Sequence, residues 1–171
     1  IAGKDIYCEK PLTLTLREAK DLIDTVNRYG RVFQVGSQQR SAREFRFACE
    51  MVRSGRIGQL KSVTVFTGTT SIECDLPAEP IRKGVDWDRW LGPAPYRPFN
   101  KILCPPAESS DWAMWRLYRD YSGGAMTDFG AHHFDIAQWG MNADDTGPVE
   151  ILPPRCTDRN QLTYKYANGV E

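Results

Sequence analysis

The segments Asp5-Ile6-Tyr7-Cys8-Glu9-Lys10-Pro11 and Arg31-Val32-Phe33-Gln34-Val35-Gly36 flank a helix signal, and the three together decide the fold class. Lys4 to Cys8 alternates toward a short strand that ends at Glu9-Lys10-Pro11. Thr15 stands three residues before Glu18. At that spacing the hydroxyl takes the N3 amide and the carboxylate reaches back to the N-cap amide, which opens a helix. Leu16, Ala19, Leu22, Ile23 and Val26 recur at helical spacing, and Gly30 closes the helix. Val32, Phe33 and Val35 predict a second strand, buried in a sheet. A strand, helix and strand joined this closely form a right-handed parallel crossover, the unit of a doubly wound sheet.

Working outward, Gly36-Ser37-Gln38-Gln39-Arg40-Ser41 is a polar run at the carboxyl end of the second strand, the edge where open α/β sheets bind ligands. On the other side, Ile1-Ala2-Gly3 has the pattern of a helix terminus with its glycine, as though the crossover series began earlier. Glu44 to Val52 predicts a helix with Phe45, Ala48, Cys49 and Val52 inward, ended by Ser54-Gly55. Val63-Thr64-Val65-Phe66 favours a strand. Gly68 to Pro106 is rich in Pro, Gly and Trp with little periodicity, a long loop to be packed by Trp87, Trp90, Tyr96 and Phe99. Gly123-Gly124 introduces a helix from about Met126 to Trp139. Strands are expected near Val149 to Leu152 and Leu162 to Tyr166, the second entering an Asn168-Gly169 hairpin turn with only Val170 and Glu171 after it.

Lys plus Arg equals Asp plus Glu at 22 each, with no basic run, which argues against a nucleic-acid surface. No apolar stretch approaches the ~20 residues of a membrane helix. Cys8, Cys49, Cys74, Cys104 and Cys156 include no Cys-x-x-Cys pair. Reduced thiols in a cytoplasmic protein fit that scatter better than a disulfide framework or a zinc ribbon.

Two places carry chemistry. Lys10, after a strand and before Pro11, can hydrogen-bond a hydroxyl or carbonyl at the sheet edge, although a solvated lysine before a turn is the common alternative. His132 and Asp135 fall four and seven residues after Asp128, within ~40° of it around a helix. A carboxylate one turn from an imidazole can fix its tautomer and raise its basicity, as removal of an alcohol proton requires. The plainer reading is an acid favoured by the helix dipole beside an incidental histidine. A metal site built from Asp128, His132, His133 and Asp135 competes, but adjacent histidines point about 100° apart and do not easily share one ion.

With these residues in hand, the chain resembles the glucose-fructose oxidoreductase / inositol dehydrogenase / rhizopine-catabolism family of NAD(P)-dependent enzymes. The resemblance is carried by Ala2-Gly3-Lys4-Asp5-Ile6-Tyr7-Cys8-Glu9-Lys10-Pro11-Leu12, Trp90-Leu91-Gly92-Pro93-Ala94-Pro95 and Gly123-Gly124-Ala125-Met126-Thr127-Asp128-Phe129-Gly130-Ala131-His132. It implies α/β plus α+β architecture, the end of a Rossmann-type parallel sheet over 1–41 and part of an open antiparallel-sheet substrate domain over 42–171. It also implies NAD or NADP as cofactor, with Lys10, Asp128 and His132 as catalytic groups acting on a secondary alcohol of a sugar, a cyclitol or a derivative. Glu9, Lys10, Gln38, Gln39 and Arg40 would lie at the nicotinamide end, and no metal is implied.

The family's glycine-rich phosphate loop has no counterpart here, since Gly-x-Gly-x-x-Gly does not occur. The chain therefore reads as truncated at both ends, and the isolated polypeptide is expected to bind the dinucleotide weakly and not to turn over. Two alternatives stand beside that reading: glycoside cleavage through transient NAD-dependent oxidation, known in a branch of the superfamily, and a non-catalytic oligomerisation or binding module. Unpaired strands near Leu60 to Phe66 and Leu162 to Tyr166 lead us to expect a homo-oligomer.

Overall fold

A computed structural model describes residues 2–158 and 160–171. Ile1, the first residue of the expected helix terminus, lies outside the described residues. The chain gathers into two compact units, one of residues up to Phe66 together with His132–Glu171, the other Thr67–Ala131.

In the first unit, β1 (Ile6–Glu9) and β2 (Phe33–Gly36) pair in parallel, Ile6 opposite Phe33 and Glu9 opposite Gly36. Between them runs α1 (Leu16–Tyr29), whose capping box is complete. Glu18 N donates to Thr15 Oγ1 at 3.2 Å, and the Glu18 carboxylate accepts from Thr15 N at 3.0 Å. Gly30 takes the left-handed conformation at φ 57° and returns its amide to the last turn, the usual reason for glycine at this position. The Asp5 carboxylate then accepts the Val32 amide at 2.9 Å, which fixes where β2 begins. The expected burial of the second strand is not met. Val32 is 67 % exposed, and within β2 only Gly36 is buried. A parallel sheet is buried when layers cover both faces, and α1 is a single layer.

Helix α2 (Arg43–Arg53) forms where expected, with Cys49 buried and Ser54 at its C-terminus. Ala48, expected inward, is exposed because it faces an open groove of about 560 Å³. Phe45, Val52, Leu60, Val65 and Ile136 help to line that groove. The strand expected at Val63–Phe66 does not form. Its backbone meets Glu171 through two hydrogen bonds, Val63 N to Glu171 O at 2.9 Å and Glu171 N to Lys61 O at 3.4 Å. Two bonds to one residue do not make a ladder. Farther on, β3 (Glu150–Leu152) and β4 (Thr163–Lys165) pair antiparallel. The Asn168-Gly169 turn is present, with Gly169 at φ 84° and Tyr166 N donating to Val170 O at 3.0 Å.

The second unit has the denser core. Its long stretch contains one short helix, α3 (Trp87–Leu91), capped by Asp86. Trp87, Leu91, Phe99, Leu103, Cys74 and Tyr118 pack together in its centre. Trp87 stacks on Trp90 at 4.5 Å and meets the Phe99 ring edge-on at 5.2 Å. Its indole N–H donates to Arg97 O at 2.7 Å, so burying it leaves no orphaned donor. The aromatics thus pack the stretch as expected, except Tyr96, which is 78 % exposed. Finally, α4 (Ala125–Gly140) runs from this unit into the first.

Leu103 is 1 % exposed and Leu16 is 91 % exposed. Leu103→Ala should therefore cost about 2–5 kcal/mol in a denaturant melt, whereas Leu16→Ala should change stability by less than about 0.5 kcal/mol. Equal effects would contradict this assignment of the core.

Candidate active site

At the carboxyl edge of the β1–β2 sheet, the Glu9 side chain folds across Gly36 on the neighbouring strand. A Cβ added at Gly36 would come within 2.6 Å of the Glu9 carboxyl carbon and of both its oxygens. Glycine is what lets that carboxylate lie over the end of β2. Lys10 follows directly, half-buried, and the Lys10–Pro11 peptide bond is cis.

Past β2, residues Gln38–Ser41 form one 3-10 turn. Gln39 Oε1 is buried there without a hydrogen-bond partner among the described residues. A buried acceptor left open costs free energy unless a ligand or water fills it.

The guanidinium of Arg40, which the family resemblance implies lies near the cofactor, is engaged by two carboxylates. Arg40 Nε donates to both Asp135 oxygens at 3.0 and 2.9 Å. Its Nη1 and Nη2 donate to Asp144 at 3.0 and 2.7 Å. The guanidinium beside it holds the Asp144 carboxyl below the usual carboxylate range.

The start of α4 is set by the paired glycines. Gly124 has φ 76°, and a Cβ there would fall 2.5 Å from the Ser71 nitrogen. The Gly123 amide donates to Thr127 Oγ1 at 3.0 Å. Asp128 sits in the first turn, where the helix dipole favours an acid. Arg116 Nε lies 3.3 Å from Asp128 Oδ2. The Arg116 guanidinium itself is 4.5 Å from the ring centroids of both Trp112 and Trp115.

His132 follows Asp128 by one turn and is half-buried. His133 Nδ1 is 2.6 Å from the Phe66 carbonyl oxygen. Facing a carbonyl, that nitrogen must donate, which fixes where a proton sits on the ring. Three of the four residues of the competing metal reading are drawn in different directions: Asp128 to Arg116, Asp135 to Arg40 and His133 to Phe66.

Sequence reading missed two residues and one contact. Trp112-Ala113-Met114-Trp115-Arg116 sets a cation beside two indoles within five residues, a signal that could have found Arg116. Asp144 lies 104 positions from Arg40, and no local pattern links them. The close approach of Glu9 to Gly36 needs the strand register, which sequence spacing does not supply.

Two family profiles match the chain. Residues 1–37 match the NAD-binding Rossmann fold of an oxidoreductase family (Gfo/Idh/MocA), and residues 52–171 match the C-terminal alpha/beta domain of that family. The chain belongs to this oxidoreductase family. Its parallel β1–β2 pair falls in the Rossmann part and its small antiparallel β3–β4 sheet in the C-terminal domain.

Among curated members, the rhizopine catabolism protein MocA of Rhizobium meliloti is 28 % identical over 137 residues, which is 80 % of this chain and 30 % of that protein. The 1,5-anhydro-D-fructose reductase of Ensifer adhaerens is 25 % identical over 88 % of this chain and 34 % of its own length. The scyllo-inositol 2-dehydrogenase (NAD(+)) of Bacillus subtilis is 27 % identical over 84 % of this chain and 30 % of its own. The chain therefore spans about a third of the length of the curated relatives it matches. Among the described residues, no helix is long and apolar enough to cross a membrane.

Two outcomes test this geometry. Because the folded-state pKa of Asp144 is depressed, its contribution to stability is complete above about pH 5 and is lost as pH falls through the lowered value. Acid titration of stability should accordingly lose part of its slope in Asp144→Asn. Gly36→Ala should displace the flexible Glu9 side chain at a cost below about 1 kcal/mol, and should be near neutral in a Glu9→Ala background. An equal cost in both backgrounds would remove Glu9 from the end of β2.

Proposed function

We propose that this chain carries the sheet-edge lysine and the helix histidine of an NAD- or NADP-dependent oxidoreductase acting on a secondary alcohol of a sugar, a cyclitol or a derivative. The observation that carries the reading is Gln39 Oε1, a buried acceptor without a partner among the described residues, at the carboxyl edge of a parallel pair matching a Rossmann fold. An open acceptor there suits the carboxamide N–H of a nicotinamide. Glu9, Lys10, Gln38 and Gln39 would line that end, with Arg40 shaping the turn. The names of the relatives, a rhizopine catabolism protein, an anhydrofructose reductase and a scyllo-inositol dehydrogenase, favour a polyhydroxylated ring as substrate.

In this reading His132 takes the proton of the reacting hydroxyl. The Lys10 ammonium donates a hydrogen bond to the same oxygen and offsets its developing negative charge. Asp128, held by Arg116, polarises the imidazole from one turn back along α4. A nicotinamide dinucleotide, when bound, supplies the acceptor for the hydride.

The pyrophosphate of such a cofactor normally rests on a glycine-rich turn and a helix N-terminus, and Gly-x-Gly-x-x-Gly is absent here. Two charge-assisted contacts at ~1.5–3 kcal/mol each correspond to roughly a hundredfold or more in affinity. The chain by itself should therefore bind NAD or NADP weakly and give no steady turnover with polyols. Joined to a Rossmann segment that bears the phosphate loop, it should bind and turn over. In that joined protein Lys10→Ala or His132→Ala should abolish the rate and leave binding largely intact. Micromolar affinity of the chain alone in a calorimetric titration, or unchanged rates in those variants, would overturn the assignment. The two-stranded sheets leave edges open to a second copy, so light scattering should find dimers or larger species, and a monomer at every concentration would refute that.

A further inference from the structure

We propose that Arg40 is a positioning residue: gripped by Asp135 and Asp144, it locks the turn after β2 onto α4 and so fixes the imidazole of His132. The grip uses the planar fork of the guanidinium. Nε and Nη2 meet Asp135 at 2.8–3.0 Å, while Nη1 and Nη2 meet Asp144 at 3.0 and 2.7 Å. A lysine ammonium, a single point of charge, cannot span two carboxylates in one plane.

The pair of clamps is partly withdrawn from water, with side-chain exposures of 32 % for Arg40 and 23 % for Asp135. The Trp139 ring, one turn beyond Asp135, lies 5.4 Å from the same guanidinium. Asp135 is three residues after His132, so the two are neighbours on the helix surface. Arg40 also directly follows Gln39, whose side-chain oxygen is buried without a partner among the described residues. One cation therefore ties the residue read as touching the cofactor to the helix that carries the proton acceptor. A positioned group must be held within a fraction of an ångström for its chemistry to work, and a bidentate grip on each side supplies that.

This inference rests on the reading of His132 given above, and its test does not use turnover. The chain contains two histidines, His132 and His133. Histidine-labelled protein gives two imidazole signals, which His133→Gln assigns. In the full chain, Arg40→Lys and Arg40→Ala should shift or split the His132 imidazole cross-peaks. The Trp87 indole N–H in the other unit should stay in place and serve as the folding control. Asp144→Asn should move the His132 signal in the same direction by a smaller amount, and it decides the matter if Arg40→Ala does not fold. His132 cross-peaks at their wild-type positions in the folded variants, even with a lowered Tm, would overturn the proposal. So would an Arg40→Lys spectrum identical to wild type. Failure of His132→Ala to affect turnover in the joined enzyme would overturn only the functional reading and leave this result standing.

Discussion

An α-helix turns 100° with each residue, so fixing its rotation takes contacts on more than one of its faces. α4 is held by polar contacts on several faces and by the edge-on approach of the Phe134 ring to Tyr164 at 5.9 Å. Within the second unit Asp128 is held by Arg116. Within the first, His133 reaches the Phe66 carbonyl, Asp135 reaches Arg40 and Gln138 accepts from the Tyr166 hydroxyl at 2.6 Å. Cys49, the buried residue of α2, lies against the Ile136 carbonyl, and burial pushes its thiol pKa up. The helix is positioned by directional bonds, and those specify rotation and register where apolar packing would allow slippage.

The two units achieve their stability differently. Thr67–Ala131 encloses two stacked tryptophans, Phe99 and Leu103, and its buried Asn100 bonds Pro77 O and the Ile102 amide. The other unit buries little apolar surface in β1, β2 and α1, leaving Tyr7, Leu16, Ile23 and Val32 more than half exposed. Its long-range ties include the ion pairs of Arg40 and the hydrogen bonds of His133 and Tyr166. A hydrogen bond contributes about 1 kcal/mol net, and paired surface charges weaken with salt. The unit holding β1 and β2 is thus the more sensitive to ionic strength.

Local structure was readable from the chain because its signals are local. Thr15 with Glu18, Gly30, the glycines before α4 and Asn168-Gly169 each act within four or five residues, and each lies where the pattern put it. The strand expected at Val63–Phe66 failed for the complementary reason. β-propensity reports fitness for a sheet, and a strand exists only where a partner runs beside it. The candidate site divides along the same line. Lys10, Asp128 and His132 were proposed from motif and spacing, and their roles stay a proposal. Asp144, Arg116 and the Glu9–Gly36 approach depend on register or on contacts across long separations, and periodicity is silent about those. Arg40 illustrates the limit well: its place in a polar loop at the sheet edge was legible, and its two carboxylate partners were not.

The division of the chain also bears on the order in which it folds. Thr67–Ala131 is one uninterrupted segment, while its companion is assembled from two pieces on either side of it. Before Arg40 can meet Asp135 the chain must close a loop of 95 residues. Closing a flexible loop of that length costs roughly 4 kcal/mol in entropy by the (3/2)RT ln n rule. If the inserted segment collapses first around Trp87 and Leu103, most of those residues are already compact and the remaining search is short. The inserted segment then acts as a scaffold for assembly, and substitutions in its core would slow formation of the Arg40 clamp without touching any residue of it.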